Sequence, residues 1–222
     1  MRPYYEAYEE RYRAVHEKGL RWAGERATPI VADVAARFCP DQDVRMLEIG
    51  CGEGRDARAL LERGCDLLAT DASPEAIAFC RGTMPQYAER FAVLDCLRDV
   101  HDALYGFVFA VAVVHMLVLD EDRQGFYRFI REHLTENGVG LICTMGDGET
   151  EMRSDVSQAF ELKERDHPAG PILVAATSCR MVSFPTFERE LKESGFVIAE
   201  QGITEAMPDF DKLMYAVVRS AW

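Results

Sequence analysis

The segment Leu47-Glu48-Ile49-Gly50-Cys51-Gly52-Glu53-Gly54 carries the strongest chemical signal in the chain. An apolar run ends there in alternating glycines, and glycine lets a ligand approach backbone where any Cβ would clash. The helix expected to follow offers unpaired N–H groups in its first turn. Two acids extend the signal. Asp71 falls seventeen residues after Gly54, at the end of the next apolar run, where nucleotide-binding sheets place a carboxylate for ribose hydroxyls. Asp95 ends the run after that. Glycine, Asp and Asp closing three successive strands are together far more specific than any one of them.

Charge separates the ligands that suit such an edge. A dinucleotide brings a pyrophosphate and favours G-x-G-x-x-G. Here the third glycine comes one residue early, position 55 is Arg, and Glu48 and Glu53 would set carboxylates near the phosphates. S-adenosylmethionine has no phosphate and carries a sulfonium cation, so carboxylates suit it. The residues favour the methyl donor. An NAD(P)-dependent oxidoreductase and a non-catalytic donor-binding module stay open as alternatives.

At roughly residues 28–220 the sequence resembles the class I S-adenosylmethionine-dependent methyltransferases, with residues 47–54 matching that family's first motif. The resemblance implies that the Gly50, Cys51 and Gly52 backbone passes along the methionine and ribose of S-adenosyl-L-methionine. It implies that Glu48 orients the loop, and that Asp71, beside Ala72, holds the ribose hydroxyls. Asp95 would accept from the adenine amine with the Cys96 amide facing the ring, and Val111 and Ala112 would line the donor. Two departures matter. No Asn/Asp-Pro-Pro-aromatic motif follows the fourth strand, which disfavours DNA-type base methylation. The acid of metal-dependent catechol-type members is not apparent either, so no metal is expected.

The elements that must position these residues alternate. Strands are expected over 44–49, 66–70, 91–94, 107–114 and 139–144, with 172–177 added and 196–203 and 213–218 closing the sheet. Helices are expected after Gly54, from Ser73-Pro74 through Cys80, from about Asp122 with Phe126, Phe129, Ile130 and Leu134 on one face and Asn137-Gly138 as its stop, and around Phe187 and Leu191. Residues 154–164 suggest a further helix. Before the sheet, Tyr5, Tyr8, Tyr12 and Val15 recur at helical spacing, and Thr28-Pro29 opens a second helix that Pro40 and Asp41 close. Alternating strands and helices imply right-handed crossovers and a mostly parallel sheet. The expected fold is α/β: a three-layer Rossmann-like methyltransferase architecture, its seven-stranded sheet closed by an antiparallel hairpin. Residues 1–40 form an N-terminal helical extension or lid, and residues 41–222 form the methyltransferase domain, with 146–182 as the acceptor-side insertion.

The 222 residues are 48% apolar, enough for a sizeable core, and carry a net charge of −13 from 25 basic and 38 acidic residues. Such a surface disfavours nucleic acid and anionic lipid as partners. The apolar run 107–119 is shorter than the ~20 residues of a membrane span, and the charged, aromatic opening residues do not suggest a leader. Seven evenly spread cysteines, with no zinc-type spacing, suit a reducing cytoplasm.

Displacement at a methyl carbon needs an acceptor lone pair in line with the S–C bond and water excluded, which is mostly positioning. His115, directly after the fourth strand, is the candidate catalytic residue, as a base or a hydrogen bonder. Trp22, Met116 and Arg180 are the candidate acceptor residues, Trp22 as part of a lid. The tyrosine stripe is expected to pack on the sheet layer, and His16, His101, His133 and His167 to lie near the surface. The expected activity is methyl transfer to an N, O or S atom of a small molecule. Methylation of a basic protein substrate is the alternative acceptor reading.

Overall fold

The computed structural model describes residues 2–39, 43–204 and 212–221. After a 3-10 turn, α1 (Ala7–His16) and α2 (Pro29–Phe38) form the N-terminal extension. Thr28 does start α2, yet its backbone N–H and hydroxyl donate to the Asp56 carboxylate at 2.5 and 2.9 Å. The helix start is thus stitched to the helix that follows the glycine loop. Pro40 and Asp41, expected to close α2, lie outside the described residues.

The sheet elements follow in alternation: β1 (Met46–Ile49), α3 (Arg55–Leu61), β2 (Leu67–Asp71), α4 (Pro74–Thr83), β3 (Phe91–Val93), β4 (Tyr105–Val111), α5 (Asp120–Glu132) and β5 (Leu134–Met145). An insertion contributes β6 (Met152–Arg153), β7 (Leu162–Arg165), β8 (Ile172–Ala175) and β9 (Arg180–Met181); then come α6 (Phe184–Glu193), β10 (Phe196–Thr204) and β11 (Leu213–Ser220). The seven-stranded sheet has the order β3-β2-β1-β4-β5-β11-β10. β1 to β5 pair in parallel, and β11 runs antiparallel to both β5 and β10.

Both faces of this sheet are buried, which is why its strands read as continuous apolar runs rather than alternating ones. On β4, Phe107, Phe109 and Val111 join the core beneath α2, α3 and α4, with Ile30, Leu60 and Ile77. Val108 and Ala110 point the other way, toward Phe126 and Ile130 of α5 and Phe187 of α6. The run 107–119 is therefore a buried strand and its turn. Among the described residues no helix is long and apolar enough to cross a membrane.

Three boundaries differ from expectation. α5 begins at Asp120 and ends at Glu132; Leu134 opens β5, and Asn137-Gly138 lie within that strand, where its pairing with β4 shifts register. β4 stops at Val111 because Ala112 adopts φ +58° and turns the chain. Residues 154–164 are no helix. Asp155 caps only the single 3-10 turn Val156–Gln158, and 162–165 form β7, paired antiparallel with β8. β7 is exposed throughout, so no apolar alternation betrays it; cross-strand pairing alone makes it a strand. The insertion is also roofed by the N-terminus. Val15 of α1 packs on Ile172 and Val174 of β8, with Trp22 alongside.

Candidate active site at the carboxyl edge of the sheet

The glycine loop leaves β1 with Gly50 at φ +72° and Gly52 at φ +53°, backbone that side-chain-bearing residues rarely adopt. A Cβ on Gly50 would stand 2.4 Å from Val113 Cγ2, and one on Gly52 would stand 2.7 Å from the Tyr12 hydroxyl. Asp71, at the end of β2, accepts from the Gly52 and Ser73 backbone N–H groups, both at 2.8 Å, and so ties the loop to the start of α4. Burial pushes the Asp71 carboxyl up to about 6, against the pull of those two donors. Past β3, Asp95 accepts from the Leu97 N–H at 2.9 Å and from the Tyr5 hydroxyl at 3.0 Å.

These residues wall a cavity of about 100 Å³ that Gly50, Asp71, Ala72, Asp95 and Cys96 line from the sheet side. Tyr5, Tyr8, Glu9 and Tyr12 of the N-terminal segment line it from above. The tyrosine stripe therefore covers the strand ends and does more than pack on the sheet layer. Glu9 secures it by accepting from the Ser73 hydroxyl at 2.5 Å and the Glu75 N–H at 3.1 Å. His16, expected at the surface, is instead sandwiched. Its ring nitrogens lie 2.9 Å from Glu53 and from Glu75, and it stacks on Phe79 at 4.3 Å. Glu53 also accepts from the Trp22 and Ala23 N–H groups, fixing the chain after α1. His133 is likewise buried, its ring between the carbonyls of Phe129 and His101.

A second, larger cavity of about 850 Å³ opens between α1 and the insertion. Arg11, Trp22, His115, Lys163 and Arg165 are among its walls, and Tyr8 and Met116 line both cavities. His115 is 3% exposed, in the 3-10 turn Val114–Met116. Burial, aided by the Arg123 and Arg11 charges, drives its imidazole down to about 3, so it is neutral near pH 7. Arg123 anchors that turn, donating to the carbonyls of Val114 at 2.7 Å and Leu117 at 3.3 Å. Its own charge is met by Glu190 at 2.5 Å, to which the Tyr127 hydroxyl also donates.

The structure brings together most, not all, of the residues singled out in the sequence. Gly50, Asp71, Ala72, Asp95 and Cys96 line the first cavity, Met116 both, and His115 and Trp22 the second. Glu48 is buried under the loop, with Oε2 unpaired; burial first, then the Asp56 charge, pushes its carboxyl well up. Cys51 tucks its thiol toward the Gly52 carbonyl. Val111 and Ala112 line neither cavity, because the Ala112 turn hands that place to Val113. Arg180 is also elsewhere. It donates to the Val118 carbonyl at 2.9 Å and pairs with Asp120 at 2.6 Å and Glu190 at 3.5 Å, a structural network. Sequence reasoning missed Arg11, since a lone Arg among Glu9, Glu10 and Arg13 reads as a solvated face. Among the described residues no group of three His, Cys, Asp or Glu could hold a metal ion.

Residues 47–139 match a family model described as a methyltransferase domain. No curated protein sequence matches the chain. Among solved structures, 1,6-didemethyltoxoflavin-N1-methyltransferase from Burkholderia thailandensis, bound to 1,6-didemethyltoxoflavin and S-adenosylhomocysteine, superposes with a TM-score of 0.72 at 16% identity, covering 100% of this chain and 92% of that one. The glycopeptide N-methyltransferase MtfA with S-adenosyl-L-methionine gives 0.66 at 22% identity, covering 90% and 95%. An S-adenosylmethionine-dependent methyltransferase from Clostridium acetobutylicum gives 0.65 at 14%, covering 86% and 91%. At these identities the likeness is one of fold.

Proposed function

We propose that this chain is a class I S-adenosylmethionine-dependent methyltransferase that moves a methyl group from S-adenosyl-L-methionine to an N, O or S atom of a small molecule in the cytoplasm. The observation that carries this reading is the pair of cavities sharing Tyr8 and Met116 as a common wall. One cavity has the residues for the donor, the other has room for an acceptor.

The residues fit the donor. Gly50 and Gly52 hold a cradle that a Cβ would fill, and Asp71 and Asp95 stand at successive strand ends. The lining carries the carboxylates of Glu6, Glu9, Asp71 and Asp95 and, among the described residues, no lysine or arginine. That suits a cation and opposes a pyrophosphate, which disfavours the dinucleotide alternative. When bound, S-adenosyl-L-methionine supplies an electrophilic methyl group and leaves as S-adenosyl-L-homocysteine. Asp71 would hold the ribose hydroxyls, and Asp95 with the Cys96 amide would read the adenine.

Ligand pockets for molecules of this size span ~300–1,000 Å³, several times the first cavity's 100 Å³. The tyrosine stripe covers this cavity, so the segment 4–16 acts as a lid that lifts to admit the donor and settles back to exclude water, while α2, packed in the core, stays in place. His115 stays neutral and orients the acceptor by hydrogen bonding; a group holding its proton only below about pH 3 is a weak proton sink at neutral pH. Positioning supplies the acceleration. Isothermal titration with S-adenosyl-L-homocysteine tests the reading: micromolar binding, lost in Gly52→Val, is expected. No binding to the wild-type chain refutes it. A chain that binds donor yet methylates nothing in small-molecule extracts would be the non-catalytic module.

A further inference from the structure

We infer that the second cavity takes an acceptor bearing an anionic group, a carboxylate or a phosphate, seated against Arg11 and Arg165; this rests on the methyl-transfer reading and names its substrate class. Arg11 is 7% exposed. One of its terminal nitrogens donates to the Ala175 and Ala176 carbonyls at 3.2 and 3.0 Å and to the Thr177 hydroxyl at 2.5 Å, which fixes the guanidinium on the cavity wall. It lies over the Trp22 ring at 4.4 Å and the Tyr8 ring at 5.1 Å. Its Nε has no hydrogen-bond partner among the described residues, and none of their carboxylates pairs with it. All the acceptors it has are neutral oxygens.

A buried charge without a counter-charge is costly. This chain has 38 acidic residues and gives Glu190 to Arg123, its other buried arginine among the described residues, and Asp120 and Glu190 to the half-buried Arg180. Arg11 is left without one, and a second cation is placed near it. Arg165 donates to the Ala176 carbonyl at 3.2 Å, which Arg11 also contacts. Burial and this neighbouring charge pull the Arg11 guanidinium below its ordinary range. Lys163 lines the same wall. The cavity's carboxylates are Asp155, already accepting from the Ser157 N–H and hydroxyl, and Asp166. Two arginines converging on a cavity are geared to oxyanions, which they bind through charge-assisted, forked hydrogen bonds. The acidic donor seat and the basic acceptor seat thus meet at Tyr8 and Met116.

The test titrates the full chain, saturated with S-adenosyl-L-homocysteine, with benzoate, phenyl phosphate and the neutral benzamide, chosen because Trp22 and Tyr8 offer ring faces. At least one anion is expected to bind tenfold or more tighter than benzamide, and the better of the two assigns carboxylate or phosphate. Arg165→Gln, at an exposed site that tolerates substitution, is expected to weaken the anion about fivefold and leave benzamide and S-adenosyl-L-homocysteine unchanged. Arg11→Gln should abolish the preference. Equal binding of anions and amide, no binding of either anion, or a preference that survives both variants overturns the inference. Failure of the wild-type chain to bind S-adenosyl-L-homocysteine would sink the donor reading instead, and the same titrations without it would still judge the anion seat.

Discussion

With Asp71 holding the donor ribose as proposed, donor binding is expected to depend on pH in a window where exposed aspartates are already fully ionised. Its carboxyl is raised from 3.8 to about 6 by burial, so the free protein keeps that proton to higher pH than an ordinary aspartate. Ribose hydroxyls are donors and want the ionised form; binding therefore releases the proton and weakens as pH falls through 6. If only the carboxylate form binds, the apparent dissociation constant scales as one plus ten to the power of pKa minus pH. That factor is negligible at pH 7.5, about 2 at pH 6, and about 11 at pH 5, or ~1.4 kcal/mol. S-adenosyl-L-homocysteine keeps its own charges across that range, so calorimetric titration at the three pH values reads Asp71 directly. Asp71→Asn should bind ~1–3 kcal/mol more weakly at pH 7.5, the cost of unmatched hydrogen bonds, with little further change at pH 5. A wild-type change below twofold between pH 7.5 and 5, or the same slope in the variant, refutes the reasoning.

Other expectations follow from the same contacts. The Tyr5 hydroxyl occupies an oxygen of Asp95 that the adenine amine would use, so Tyr5→Phe should tighten S-adenosyl-L-homocysteine by ~1 kcal/mol, about fivefold; an unchanged or weaker affinity argues that the two do not compete. Arg123→Met leaves the Glu190 carboxylate with only Tyr127 and the more distant Arg180, and frees the carbonyls of the His115 turn. A loss of ~3–5 kcal/mol in denaturant unfolding is expected, largely recovered by adding Glu190→Met; a loss under ~1 kcal/mol would show that the pair contributes little. His16→Ala leaves Glu53 and Glu75 facing each other without their bridge. Amide exchange of α1 should then quicken about tenfold by mass spectrometry, and unaltered exchange would mean that the lid is held elsewhere.

The cavity at the carboxyl edge of the sheet was legible because its signals are local. Glycines at a strand end, acids at the next two, and Ser73-Pro74 as a helix start each act within a few residues, and the structure places Gly50, Asp71 and Asp95 together. Arg180 misled because its need for a partner was readable but the partners, Asp120 and Glu190, were not. Val111 and Ala112 were displaced by a left-handed residue at Ala112, which no neighbouring side chain announces. β7 escaped because an exposed strand carries no hydrophobic period. The facing of α1 is the largest such gap. Its stripe was visible at helical spacing, but the surface it meets is built from β8, α4 and the glycine loop, brought together only by the fold.

One consequence lies in α1 itself. That helix turns Glu9 and Tyr12 toward one chamber and Arg11 toward the other, with Tyr8 between. On the proposed reading, ligands in the two chambers touch the same helix, and their affinities are expected to be thermodynamically linked. Whatever factor one ligand confers on the other is returned in equal measure, and for linkages of this kind it typically amounts to 5- to 150-fold. On that reading the N-terminal helix, rather than the sheet, couples donor and acceptor.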